Sequence, residues 1–229
     1  MKSLGTLICE LSQFQSFINA LGIISSTKIH FTEDGIIIHS TDTANVAFIV
    51  LNYKTTIATP LSIAIDLVNI KGIKSDVVQI YHNNNSLVFH DDGLVYNCAS
   101  LSDPNVDRRD REGPEVKWEH VIIPLTSEHI KKILTMVNSK NKYDITLQDH
   151  TLTINDATDN NRAYHVEVEV DGSYSTRIHG DYITDIFTAP KHFSGCNIIL
   201  GNDTPFKVEY ECTWLNLAYL VAPMIDKET

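Results

Sequence analysis

Histidine, aspartate, cysteine and lysine are the residues through which this chain could do chemistry, and their spacing selects among the options. The ten histidines show no HxH or HxxxH pair that would set two imidazoles on one metal. Cys9, Cys98, Cys196 and Cys212 contain no CxxC and are too far apart in sequence for a zinc or disulfide framework. They read as buried thiols, and neither metal nor cofactor is expected. His39 and Asp42 are near neighbours, but a lone pair of this kind is usually structural. No GxSxG, P-loop, HExxH or paired-carboxylate spacing occurs. A small soluble enzyme is therefore the weakest reading.

Lysine leaves a second option, contact with phosphate. Lys131 and Lys132 share a polar helical face with Glu128, Thr135 and Ser139, and Lys140 and Lys142 follow. Lys71 and Lys74 stand three apart in another short segment that reads as helix. By charge alone these are solvated faces. The formal net charge of −11 argues against an ordinary nucleic-acid binder, which needs a basic surface.

The elements that must carry these residues form a tandem repeat. Apolar residues at Phe14, Phe17, Ile18 and Leu21 make a helical stripe over residues 11–21. Ile130, Ile133, Leu134 and Val137 repeat it over residues 127–138, each 116 positions later. Ile29, Phe31, Ile36 and Ile38 fall on Ile145, Leu147, Leu152 and Ile154 at the same offset. Strands are predicted over 46–52, 61–65, 77–82, 86–90 and 94–100 in the first half. Their counterparts in the second are 162–170, 174–179, 197–201, 205–212 and 215–222. Short helices are predicted over 66–74 and 180–189. Asp34-Gly35, Asn83-Asn84-Asn85, Asp92-Gly93 and Asn202-Asp203 supply turns. Residues 102–116, SDPNVDRRDREGPEV, lack hydrophobic periodicity and read as a linker. Hydrophobic and charged fractions of 43% and 21% suit a globular chain. No apolar run reaches the ~20 residues that span a bilayer. The N-terminus, MKSLGTLICELSQFQ, is too briefly apolar for a secretory signal, which predicts an intracellular protein.

Residues 197–225, NIILGNDTPFKVEYECTWLNLAYLVAPMI, then become informative. A Pro-Phe-Lys-Val-Glu-Tyr strand followed by a strand ending Leu-Val-Ala-Pro-Met-Ile resembles the C-terminal end of the DNA sliding clamps of the proliferating cell nuclear antigen (PCNA) family. Residues 39–51, HSTDTANVAFIVL, are similar to that family's Asp-x-x-x-Val segment at Asp42 and Val46. Duplication, connector and terminal motif extend the likeness over the whole chain. The chain's shortness resembles archaeal or viral (phage) members.

The resemblance implies an α+β DNA-clamp fold: two tandem repeats, each of antiparallel sheet with two helices on one face. The domains would be 1–101 and 117–229, joined by connecting loop 102–116. It implies no enzyme but a ring-shaped DNA polymerase processivity factor, a homotrimer threaded by duplex DNA without sequence preference. Partners would be DNA polymerase, other proteins carrying a clamp-binding peptide, and a clamp loader, with no membrane. The compartment would be the cytoplasm or nucleoid of a prokaryote, or of a virus-infected cell. Alternatives are a subunit of a heteromeric checkpoint-type clamp and a monomeric basic-faced processivity factor, the latter disfavoured by the acidic charge.

Carried over by position, the DNA-facing residues would be Lys71, Lys74, Lys131, Lys132, Lys140 and Lys142. The first helix departs from the family in its neutral polar face (Ser12, Gln15, Ser16, Asn19), and the fourth shows Asp181 and Asp185, with Lys191 and His192 beyond it. Direct DNA affinity is therefore expected to be weak and salt-dependent. The partner-peptide pocket would comprise Thr41, Val46, Pro205, Leu220, Val221, Ala222 and Pro223, although core packing explains Leu220 and Val221 equally well. The subunit interface would use Leu94, Tyr96 and Cys98 from one edge, and Tyr164, Val166 and Val168 from the other. The connector departs most. Arg111, Glu112 and Gly113 stand where cellular clamps place aliphatic residues, with Arg108 and Arg109 nearby. This is either a solvated loop or a feature suited to acidic or loop-independent partner peptides.

Overall fold

In a computed structural model, residues 4–111, 119–159, 162–188, 193–202 and 204–224 are described. Two compact units divide the chain: residues 1–113 with 212–217, and 114–211 with 218–229. The first contains β1 (Thr6–Ser12), α1 (Phe14–Ala20), β2 (Ser26–Thr32), β3 (Gly35–Thr41), β4 (Ala47–Tyr53) and β5 (Leu61–Asp66). A 3-10 turn (Ile70–Gly72), β6 (Val77–Asn83), β7 (Ser86–Asp91), β8 (Leu94–Ala99) and α2 (Pro104–Arg109) complete it. The second contains β9 (Val121–Thr126), α3 (Ser127–Met136), β10 (Lys142–Gln148), β11 (Thr151–Asp156) and β12 (Ala163–Glu167). It continues through β13 (Tyr174–His179), α4 (Gly180–Thr188), β14 (Gly195–Leu200), β15 (Phe206–Glu211) and β16 (Leu215–Val221), whose first residues fall in the first unit.

The repeat is visible in strand order. In the first unit β1-β6-β7-β8 and β5-β2-β3-β4 lie side by side; in the second, β9-β14-β15-β16 and β13-β10-β11-β12 do. The strands starting at Ser26, Gly35 and Ala47 recur at Lys142, Thr151 and Ala163, each 116 residues on. Each repeat thus has two groups of antiparallel strands where the sequence suggested one. The additional strands are β1 and β9, which pair with β6 and β14. Leu11 and Ser12 belong to β1, so α1 starts only at Phe14.

Period-2 burial sets the layers. In β2, Thr27, Ile29 and Phe31 are buried while Lys28, His30 and Thr32 alternate with them on the other face. α1 closes the core of the first unit. Phe14 meets Phe89 of β7 at a tilt of 50° (ring centroids 6.0 Å), and Phe17 meets Tyr53 of β4 edge-on (5.8 Å). In the second unit, Phe193, Tyr210 and Tyr219 form the aromatic cluster. Burial pushes the Cys9 and Cys196 thiols up to about 12 and Cys98 up to about 11, as inert core thiols require.

Two helix expectations are corrected. Residues 66–74 form no α-helix but a turn extended by the 3-10 segment. The Asp66 carboxylate accepts the Val68 amide at 2.8 Å, a local bond that competes with helix. Gly72 adds a helix cost of about 1 kcal/mol relative to alanine, and Ile70 and Ile73 are fully buried. The connector, read as structureless, contains α2. Asp103 caps it by accepting the Asn105 amide at 2.8 Å, Pro104 stands in its first turn, and Arg108 and Arg109 in its last. That Asp-Pro start was legible; only an apolar stripe was missing, since Val106 is the helix's one buried residue. α3 matches its expected stripe and starts on a capping box between Thr126 and His129.

Candidate nucleic-acid and partner interfaces

The lysines differ in what their ammonium groups meet. Lys71 donates to the carbonyls of Ile24 at 2.8 Å and Gly22 at 3.3 Å, just past the end of α1. Both carbonyls lie beyond the helix's C-cap, Leu21, and the ammonium is engaged within the unit. Lys74 is exposed. Lys131 and Lys132 project from α3 into solvent, and Lys132 pairs with Glu128 at 2.9 Å. The hydrogen bond, then the charge, holds Glu128 below the usual carboxylate range and Lys132 above the usual ammonium range. Lys140 and Lys142 are exposed in the turn after α3 and at the start of β10. α4, which packs against α3, exposes Asp181 and Asp185. The helical face of the second unit is therefore mixed in charge. In the first unit, Ser16 is buried and Gln15 donates to the carbonyl of Ile73, so α1 uses its polar residues internally.

Both strands expected at the subunit contact are edge strands: β8 ends one strand group of the first unit, β12 one of the second. On β8 the inward face runs from Cys98, 3% exposed, through half-buried Tyr96 to Leu94, 58% exposed, with Val95 at 55% beside it. Cys98 thus packs inside its unit and leaves only backbone to the edge. On β12, Tyr164 and Val166 are half-buried on the face that α3 packs against, and Ala163, His165 and Glu167 are exposed. Val168 lies past the strand end, its amide held by the His150 carbonyl at 2.9 Å.

The expected pocket residues fall in both units. In the first, Thr41 closes β3 and its hydroxyl donates to Asn45 Oδ1 at 3.2 Å. Val46 is half-buried, and its amide and that of Ala47 donate to the Asp42 carboxylate at 2.8 and 3.0 Å. Asp42 is thus the fastener of the β3–β4 turn, in which Asn45 adopts φ 56°. In the second, Val221 is fully buried and Leu220 nearly so, Ala222 is exposed, and Pro205 and Pro223 are half-buried. Core packing accounts for Val221. Pro223 and Met224 border a cavity of about 320 Å³ with Asp144 and Arg177.

The connector helix was not anticipated as part of a site. Asp107 of α2 and Asp110 at its C-cap turn to the outer face of β2. Lys28 Nζ lies 3.2 Å from Asp107 and 3.5 Å from Asp110. His30 Nε2 lies 2.8 Å from Asp110 while its Nδ1 meets Ser62 Oγ at 2.8 Å. The hydrogen bond that Lys28 donates to Asp107, opposed by burial and reinforced by the charges of Asp107 and Asp110, raises the Lys28 ammonium above its ordinary value. The rest of the connector, residues 112–116, together with 117–118 and Lys191 and His192, lies outside the described residues. No group of three metal-ligating side chains occurs among the described residues, and none of their helices is long and apolar enough to cross a membrane.

No family model matches the chain. Two proteins named DNA polymerase sliding clamp are similar along its length. One, from Methanospirillum hungatei, is 24% identical over 238 residues, covering 94% of this chain and 96% of its own. The other, from Methanoregula boonei, is 23% identical over 239 residues with the same coverage. Among solved structures, the PCNA of A. fulgidus bound to the C-terminal region of FEN-1 superposes with a TM-score of 0.78 at 19% identity, covering 97% of this chain and all of that one.

Proposed function

We propose that this chain, a homologue of the archaeal DNA polymerase sliding clamps with the fold of PCNA, is an intracellular, non-enzymatic processivity factor that closes into a ring around duplex DNA. The observation that carries the reading is likeness to clamps from end to end, through the same duplicated architecture. Two edge strands of different type, β8 and β12, support self-association. They are unlike surfaces, so their pairing is head-to-tail, which yields a ring when the rotation closes. Exposed Leu94 and Val95 would otherwise leave an aggregation-prone edge.

Lys74, Lys131, Lys132, Lys140 and Lys142 are the proposed phosphate contacts, loose and independent of sequence. Lys71 contributes after leaving its carbonyl partners. Thr41, Val46, Pro205, Leu220, Ala222 and Pro223 are proposed to meet the peptide of a polymerase or other partner, with Val221 supporting them from the core. A clamp loader would open the ring. Light scattering tests the reading: three times the 25.7 kDa chain mass is expected. A monomer at micromolar concentration would overturn it, as would tight binding to open-ended linear duplex in high salt, because a ring slides off such ends.

A further inference from the structure

Three arginines, Arg108, Arg109 and Arg111, converge on a cavity of about 480 Å³ between α2 and the β3–β4 turn, completed by Thr43, Asn45 and Asp103. We infer that this cavity receives acidic side chains of a clamp-binding protein, next to the docked part of its peptide. The inference rests on the clamp reading and adds the chemistry of the partner.

The connector separates its charges by side. Asp107 and Asp110 point at Lys28 and His30 of β2, where their charge is spent. Arg108, in the last turn of α2, and Arg111, two residues past its end, are exposed at the cavity. Arg109 is partly buried there, its guanidinium steadied by Ser26 Oγ at 2.9 Å and the Asn105 carbonyl at 3.2 Å. Among the described residues, the one carboxylate on the cavity wall, Asp103, already accepts the Asn105 amide at 2.8 Å. A chain of net charge −11 thus holds three guanidinium groups around one concavity, with hydroxyl and amide groups from Thr43 and Asn45 to complete hydrogen bonding. Guanidinium forks match carboxylates in geometry as well as charge.

The position favours a protein over DNA. α2 lies on the Lys28/His30 face of β2, whereas Ile29 and Phe31 point to the opposite face, where α1 packs in the core. The cavity therefore opens on the side of the sheet away from α1, next to whose end the proposed phosphate contact Lys71 is held. The cavity also takes in the β3–β4 turn that carries Thr41 and Val46, proposed above to meet the partner peptide.

Two fluorescent peptides with one aliphatic and two aromatic anchors test this, one followed by three glutamates and the other by three glutamines. The acidic peptide should bind the full chain about tenfold more tightly in 50 mM salt, as screened charge pairs of this type allow. That preference should disappear in 500 mM salt and in the double variant Arg108→Glu/Arg111→Glu, whose folding is checked by its thermal midpoint. Equal binding of both peptides to the unmodified chain would overturn the inference and leave the clamp reading standing. Failure of both peptides to bind would remove the peptide-docking reading and this inference together. If the double variant instead loses affinity for a duplex oligonucleotide and keeps its preference for the acidic peptide, the arginines serve DNA and the inference is wrong.

Discussion

Two buried carboxylates illustrate how much structure a single residue can hold here. Asp42 accepts the Val46 and Ala47 amides and fixes the turn on which Val46 and Asn45 are displayed. Asp42→Ala leaves those amides unpaired, at about 2 kcal/mol. Chemical denaturation should register the loss, and peptide affinity should fall with it. Asp156 is fully buried at the end of β11. Burial opposes its ionisation, but hydrogen bonds from Thr158 side chain and amide, Asn141 and the Asp159 amide outweigh it and hold the carboxyl at about 2, below its ordinary 3.8. The native chain therefore binds this proton less readily than the unfolded one. Its stabilisation, on the order of 2 kcal/mol, is complete above pH 4 and drains away as pH falls toward 2. Asp156→Asn should lower the urea midpoint at pH 7 and narrow the gap between midpoints at pH 7 and pH 3; an unchanged gap would contradict this. The Asp-x-x-x-Val spacing was visible in the sequence. The burial of Asp156 was not, because its partners Asn141 and Thr158 flank two different strands.

Among the elements, α2 has the least of its own to stand on. Six residues are far too few for an isolated helix in water. It persists through its Asp103 cap, buried Val106 and the contacts of Asp107 and Asp110 with β2. Surface ion pairs contribute little to global stability, about 0–1 kcal/mol each. Asp110→Ala should therefore leave the thermal midpoint within a few degrees while exchange of the backbone amides at Val106 and at position 110 accelerates strongly. Equal protection in the variant would mean that Val106 alone holds the helix. The long helix α3 was legible from its stripe of Ile130, Ile133 and Leu134. The helix expected over residues 66–74 was not formed, because apolar residues there are buried by a turn equally well, and periodicity alone does not separate a one-turn segment from a helix.

For the whole molecule, unlike edges make a distinctive forecast. Leu94→Asp damages the β8 edge, and Val166→Asp the β12 edge. Each variant alone should sediment mainly as a monomer, since every contact in a head-to-tail ring needs both edges. Mixed together, they should form a dimer and nothing larger, because one intact β12 edge then meets one intact β8 edge. Dimers of either variant alone would instead indicate like-with-like pairing, and a single chain mass in every sample would leave no role for these strands. Both sites retain their intra-unit partners, β7 and β11, so the units themselves should stay folded.

Duplication at an offset of 116, the run of strands and the clamp-like C-terminus are properties of order along the chain. Alternating burial and local turn chemistry write them into neighbouring residues, and the amino-acid sequence determined them unaided. Tertiary structure decided where charge is spent. Lys71 meets carbonyls 47 and 49 positions away, and Asp107 and Asp110 meet residues of β2 about eighty positions earlier, leaving Arg108, Arg109 and Arg111 at the cavity. Such pairings depend on which strands lie side by side and on which face a helix settles. That choice follows from long-range packing, which no local spacing encodes.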